Sequence, residues 1–382
     1  MSSWPNKFVI GLTGNIATGK SVVRKMLEHL GAYGIDADAL AHRAIAKGAP
    51  GYQPLVDTFG QWILRPDGEI DRRKLGRLAF ADPTIMRQLE EIIHPLVRQA
   101  VHLLARRSKQ PVIVIEAIKL LEGELHKHCD SIWVVVAPPE QQLKRLVSKR
   151  GLSPTDARLR ITMQGDPQAK IAAADVVIYN DGSFEKTWEQ VRKAWRLVVP
   201  EQYRRARPSA VARSRAAAGS VTAHWVVKKA GPKDAAAIAE FLSQHTGRQV
   251  RRAEVLAAFG EKAYLALSDG EQVIGLLGWQ VENLVARVNE WYLSPQVPLE
   301  PAAKMLLEAM EAGSRELQCE IALLFLPPDL ARHSLWQQLD YHRKDVSDLT
   351  MRAWQEAVRE SQPPRTVMLV KVLRSDRVMQ PL

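Results

Sequence analysis

The run Gly14-Asn15-Ile16-Ala17-Thr18-Gly19-Lys20-Ser21 meets the pattern G-x-x-x-x-G-K-[ST] at every fixed position. That spacing of glycines, a lysine and a hydroxyl suits phosphate. A glycine-hinged turn aims backbone N–H groups, and the positive end of the helix after it, at one point. Lys20 can then reach the β- and γ-phosphates of a nucleoside triphosphate, and the Ser21 hydroxyl can take a place on Mg²⁺. Gly14 through Val22, with Asn15, Ile16, Ala17, Thr18 and Gly19 between, form the expected cradle, with ATP and Mg²⁺ as its cofactors.

A second group of candidates is acidic. Gly34-Ile35-Asp36-Ala37-Asp38 closes a short apolar run, and ligands of open α/β sheets sit at the carboxyl ends of strands. A kinase acting on an alcohol needs a carboxylate that accepts the hydroxyl proton as oxygen attacks the γ-phosphate. One of the two aspartates is expected to cap the helix beginning near Ala39, which leaves the other for chemistry. Glu116 ends another strand, where an acid could orient Mg²⁺ or its water.

The elements needed to position these groups are legible. Strands are expected at Lys7–Leu12, Ala32–Asp36, Pro111–Glu116, Ser131–Val136 and Asp175–Tyr179, alternating with amphipathic helices as in a parallel α/β sheet. A chain of 382 residues suits two domains. The break falls in 206–219, a basic, Ala/Ser-rich, aperiodic stretch that reads as a linker between 1–205 and 220–382. The linker is expected to carry few contacts, so cutting it should leave both cores intact. No apolar run approaches a bilayer span. Cys129 and Cys319 are the only cysteines, which fits a reducing cytoplasm. The formal charge of +11 asks for polyanionic partners, a demand that nucleotide phosphates meet as well as nucleic acid does.

Taken in order, the phosphate loop, Asp36-Ala37-Asp38, His42, Asp71-Arg72-Arg73-Lys74-Leu75, Ile93-His94-Pro95, Leu120-Leu121-Glu122, and the stretch from Gly151-Leu152-Ser153 to Ala174-Asp175 and Asn180 resemble dephospho-coenzyme A kinases over residues 7–197. The resemblance implies a P-loop kinase with a parallel sheet and a helical lid. It would transfer the ATP γ-phosphate to the ribose 3′-hydroxyl of dephospho-coenzyme A, the last step of coenzyme A synthesis. It also implies that Asp38 is the general base, that Arg150 touches the transferring phosphate, and that Lys170 is a basic lid residue. Arg150 could equally be a helix C-terminal cation beside Gly151. His94, before Pro95, is expected at a turn near the acceptor pocket, and His42 could bond Asp38 across one helical turn. The sequence departs from the family at Asn15, Ala17 and Thr18 in the loop, and at Glu116, where the family has aspartate. The alternative is another P-loop nucleoside or nucleotide kinase, or an ATPase stimulated by nucleic acid.

Beyond the linker, a strand at His224–Lys229 and a helix opening at Pro232 come first. A hairpin turning at Asp269-Gly270, a strand at Ala286–Leu293, a helix at Pro301–Leu317, and strands at Glu320–Leu326 and Thr366–Leu373 follow. This α+β order resembles the GNAT acetyltransferase fold. Active members of that family cradle a pyrophosphate on glycine amides. Gln296-Val297-Pro298-Leu299-Glu300-Pro301-Ala302 offers no glycine, two prolines and an acid. The domain therefore reads as a degenerate module, regulatory or coenzyme A-sensing, rather than an active acetyltransferase. Tyr341 could be a general acid or a core aromatic.

Overall fold

The computed structural model describes residues 4–164, 166–204, 214–215, 224–376 and 378. Apart from Ser214 and Arg215, the expected linker lies outside these residues. The first unit is built on β1 (Phe8–Thr13), β2 (Tyr33–Asp36), β3 (Val112–Glu116), β4 (Ser131–Val136) and β5 (Val176–Tyr179). They form an all-parallel sheet in the order β2-β3-β1-β4-β5. Such a sheet is covered on both faces, and β3 is accordingly buried at every position.

One face packs on α1 (Lys20–His29), through Val23, Met26 and Leu27, and on α9 (Phe184–Val198), through Val191 and Trp195. The other packs on α2 (Ala37–Ala44) and α5 (Pro83–Arg107), through Leu40, Val97, Val101 and Leu104. Both sets recur at helical spacing, which is why these segments are helices. Between α2 and α5, α3 (Tyr52–Phe59) and α4 (Arg72–Ala81) enclose a small core of Leu55, Ile63, Ile70 and Leu75. The lid region holds α6 (Pro139–Arg150), α7 (Pro154–Thr162) and α8 (Gln168–Ala172). α6 stops at Gly151, whose φ of 62° suits glycine, and Ser153 caps α7 by accepting from Asp156 N at 3.1 Å. α10 (Glu201–Arg204) closes the unit.

The second unit is a mixed sheet of β6 (Ser214–Arg215), β7 (Trp225–Lys229), β8 (Ala263–Asp269), β9 (Gln272–Glu282), β10 (Val285–Leu293), β11 (Ile321–Leu326), β12 (His342–Arg343) and β13 (Val367–Val372). Its order is β12-β13-β11-β10-β9-β8-β7-β6, antiparallel except for β10 beside β11. α13 (Leu299–Glu316) lays Ala302, Ala303, Leu306 and Met310 on one face. α11 (Ala235–Thr246), α12 (Arg252–Ala258) and α16 (Arg352–Ser361) cover the rest, and α14 (Pro328–Ala331) and α15 (Leu335–Gln338) are short connectors.

The units are not joined by the linker alone. Arg43 Nη2 on α2 donates to Glu320 Oε1 and Oε2 at 2.7 and 2.8 Å, with both side chains almost wholly buried. Arg43 Nη1 donates to Asn283 O at 2.6 Å. On α1, Lys25 Nζ donates to Val281 O at 3.2 Å, and His29 Nε2 meets Phe259 O at 3.1 Å. These contacts tie α1 and α2 of the first unit directly to the second.

Candidate functional site

Strand register assembles the site. Asp36 and Glu116 are direct neighbours across β2 and β3, and Glu116 also faces Leu12 of β1. Three strands thus end at one level, and the phosphate loop rises from β1, the middle strand of the five. Gly14 has φ 145° and Gly19 φ 98°. A Cβ at Gly14 would overlap Val135 O, and one at Gly19 would overlap the Asn180 amide, so both glycines are required. Ala17 takes φ 57°, a left-handed geometry that its Cβ tolerates at a cost.

Below the loop, Ser21 Oγ donates to Glu116 Oε1 at 2.8 Å. The other oxygen of Glu116 accepts from Arg24 Nε at 2.6 Å. The length of glutamate lets it span the hydroxyl and the guanidinium together. Lys20 is buried, and its Nζ donates to Asn15 O at 3.3 Å. Asp36 Oδ1 accepts from Ala39 N at 2.8 Å and so caps α2. Burial, and then the neighbouring Glu116 charge, push its carboxyl up to about 6.

Asp38 accepts from Ile118 N at 3.1 Å. Burial raises its pKa, against the pull of the Lys20 and Lys170 cations. Lys170, buried on α8, donates to Ile118 O at 2.8 Å and pairs with Glu122 at 3.6 Å. The lid lysine and Asp38, in the first turn of α2, therefore converge on the backbone of Ile118. The expectation that one of the two aspartates caps α2 holds, and the capping residue is Asp36.

Other expectations fare differently. His94 lies inside α5 rather than at a turn, because the apolar stripe of α5 continues past Pro95. Pro95 itself is exposed, and His94 is half-buried. The Asp38 carboxylate is bonded to Ile118 N, on the β3 side, and not across the helical turn to His42. Arg150 ends α6, beside Gly151, and its side chain lies outside the described residues.

Three residues to which the sequence reading gave no site role hold the loop. Arg145 Nη1 donates to Ala17 O and Thr18 O at 3.1 and 3.0 Å, and Asn180 Nδ2 donates to Thr18 O at 2.8 Å. From the lid, Gln164 Oε1 accepts from Ile16 N at 2.5 Å. In the second unit, Pro298 immediately precedes α13, and Glu300 sits in the first turn of that helix. Tyr341 is almost wholly buried, as a core aromatic would be.

The donor set fits Mg²⁺. Ser21 and Glu116 offer hard oxygens, and no group of three or more His, Cys, Asp or Glu side chains forms a metal cage among the described residues. Mg²⁺ suits such a site because it keeps waters and shares its shell with substrate phosphates. No helix among the described residues is long and apolar enough to cross a membrane.

A nucleotide cradle at the head of a parallel sheet, with a strand-end carboxylate and a cationic lid around it, defines a P-loop phosphotransferase with a hydroxyl acceptor. The CoaE family of dephospho-CoA kinases matches residues 8–186. The dephospho-CoA kinase of Symbiobacterium thermophilum is 43% identical over 191 residues, 49% of this chain and 80% of that relative. That of Geobacter sulfurreducens is 42% identical over 195 residues, 50% of this chain and 99% of the relative. The chain belongs to the dephospho-CoA kinase family, and its N-terminal half is the kinase. Among solved structures similar to the second unit is the PaiA N-acetyltransferase of Thermoplasma acidophilum in complex with coenzyme A. It is 12% identical, with a TM-score of 0.30, covering 39% of this chain and 98% of that one.

Proposed function

We propose that Asp38 is the proton acceptor when the ribose 3′-hydroxyl of dephospho-coenzyme A attacks the γ-phosphate of ATP. The hydroxyl oxygen forms the new P–O bond, the bond to the ADP oxygen breaks, and the hydroxyl proton moves to the Asp38 carboxylate. The observation that carries this reading is the Asp38 carboxyl itself, held at the strand ends and raised by burial between two lysines. A carboxylate whose pKa is raised by burial is a stronger base than a free one, which suits this task. Gly14 through Val22 would cradle the phosphates, and Lys20 would steady the charge that spreads as the β–γ bridge loosens. Ser21, with Glu116 behind it, would hold Mg²⁺, which when bound neutralises phosphate charge. Arg150 and Lys170 are proposed to meet the transferring phosphate and its surroundings, and Asp36 and His94 to border the acceptor. The domain boundaries 1–205, 206–219 and 220–382, a cytoplasmic location and independence from nucleic acid belong to the same reading. So does a second unit that lacks acetyl transfer.

Steady-state kinetics on Asp38→Asn and Asp36→Asn tests the assignment. Turnover should collapse in the first, with ATP affinity little changed, and survive in the second. The opposite pattern would exchange the two roles.

A further inference from the structure

The second unit touches the kinase on the two helices that carry its chemistry. α2 begins at the Asp36 cap, includes Asp38, and presents Arg43 from its last turn. The Arg43 guanidinium is gripped by both oxygens of Glu320 and by Asn283 O. Glu320 is in turn fixed by Trp354 Nε1 at 3.2 Å and Val378 N at 3.1 Å. With Arg43 Nη2 also donating to Val378 O at 3.4 Å, six hydrogen bonds hold this buried charge pair, which leaves α2 little freedom to slide.

The turn that supplies Asn283 O is itself costly. Asn283 and Leu284, joining β9 to β10, take φ of 50° and 61°. Such a two-residue turn normally uses Asn-Gly, and a leucine there is strained. Leu284 packs on the core formed by β2, β3, α2 and α5, so the strained tip is seated in the kinase.

α1 shows a parallel connection. Ser21 bonds Glu116, Glu116 bonds Arg24, and Arg24 Nη1 donates to Glu28 at 2.7 Å. Lys25 then joins Glu28, at 2.9 Å, to Val281 O of the second unit. A continuous chain of charged contacts therefore runs from the loop hydroxyl to β9.

We propose that the second unit is a positioning module for the kinase, and that Arg43, locked by Glu320, is a positioning residue that sets α2 and so the Asp38 carboxylate. This rests on the reading of Asp38 as the proton acceptor. The module works by geometry alone and needs no ligand of its own. Small displacements of a reacting group carry large kinetic penalties, so the effect falls on turnover rather than on ATP binding.

The test uses the full chain with Arg43→Met/Glu320→Leu. An apolar pair of similar volume removes the fixed fork without leaving an unpaired buried charge, although Asn283 O, Trp354 Nε1 and Val378 N lose their partners. The expected result is a chain with a lowered melting temperature that is still folded at the assay temperature, and a kcat lowered by about fivefold to a hundredfold. KM for ATP should stay within about twofold, because the phosphate loop is untouched. A purely structural pair would show unchanged kcat in the folded double variant, and that result overturns the proposal. Should the double variant fail to fold, Trp354→Phe removes one donor to Glu320 and leaves the charges paired. It should lower kcat by roughly two- to threefold, and an unchanged kcat there has the same overturning force. Asp38→Asn, measured beside them, separates the two readings. If it retains turnover, the base assignment fails; if it is dead while the pair variants are unaffected, only the positioning role fails.

Discussion

Asp36 and Asp38 stand two residues apart, yet Asp36 is turned back onto Ala39 N while Asp38 reaches across to Ile118 N. The first bond belongs to the helix end and the second to the neighbouring strand end. Both Asp36→Ala and Asp36→Asn remove a carboxyl that burial and Glu116 hold up to about 6, so the lost cap should show as Asp36→Ala being about 1 kcal/mol less stable than Asp36→Asn, an equally good cap. Urea unfolding of the two variants checks this. Equal stability of both would show that the Ala39 bond contributes nothing.

Lys20→Ala is expected to leave a folded protein whose turnover is lower by about 10²–10³-fold or more. Lys20 is the one cation fixed by the loop pattern itself, and its charge is needed as the transferring group loosens. Single-turnover phosphorylation of dephospho-coenzyme A measures it. A folded variant with appreciable activity would contradict the phosphate-loop assignment.

Ala17→Gly should change stability by less than about 0.5 kcal/mol, because two effects oppose each other. Left-handed backbone costs alanine about 1 kcal/mol that glycine escapes. Glycine, however, adds about 0.4–1 kcal/mol of freedom to the unfolded chain. Thermal unfolding distinguishes this near-balance from a clear gain, which would mean that Ala17 is more strained than its φ of 57° suggests.

His29 gives the chain an acid-sensitive joint. Burial, and then the Lys229 charge, push its pKa down to about 4, from an ordinary value near 6.5. The folded state prefers the neutral ring, which donates to Phe259 O. The contribution is complete above about pH 6.5 and is lost as pH falls from there toward 4. The slope is at most about 1.4 kcal/mol per pH unit. His29→Gln keeps a donor and removes the titration, so melting temperatures followed from pH 7 to pH 5 should converge or cross. Parallel curves would show that His29 does not titrate on unfolding.

The parts of the site that lie close in sequence were readable. The loop names its residues by pattern, and the strand before it announces itself by β-branched, apolar residues at 8–12. That one of Asp36 and Asp38 caps α2 was readable because a cap needs only one carboxylate, but which one does so is visible only in the bond from Ala39 N to Asp36. His94 misled because a residue before proline disfavours helix, and only the tertiary burial of Val97, Val101 and Leu104 overrides that local preference. α16 went unread although Trp354, Ala357 and Val358 have helical spacing, since ten residues between loops give a weak signal. Arg145 looks like any basic residue on α6, and only the folded chain brings it to the carbonyls of Ala17 and Thr18. Arg43 and Glu320 had no local signature at all, being 277 positions apart.

That separation sets a timetable for biosynthesis. A ribosome adding about 5–20 residues per second releases Glu320 some 15–55 s, roughly, after Arg43. Throughout that interval the parallel sheet and its helices can form, while the guanidinium of Arg43 has no counter-charge and the last turn of α2 has no cover. Nascent chains halted near residue 260 should therefore be cleaved around Arg43 by a protease that spares it in the finished protein. With Arg43 positioning α2 as proposed, a delay in translating the second unit becomes a delay in catalytic maturation.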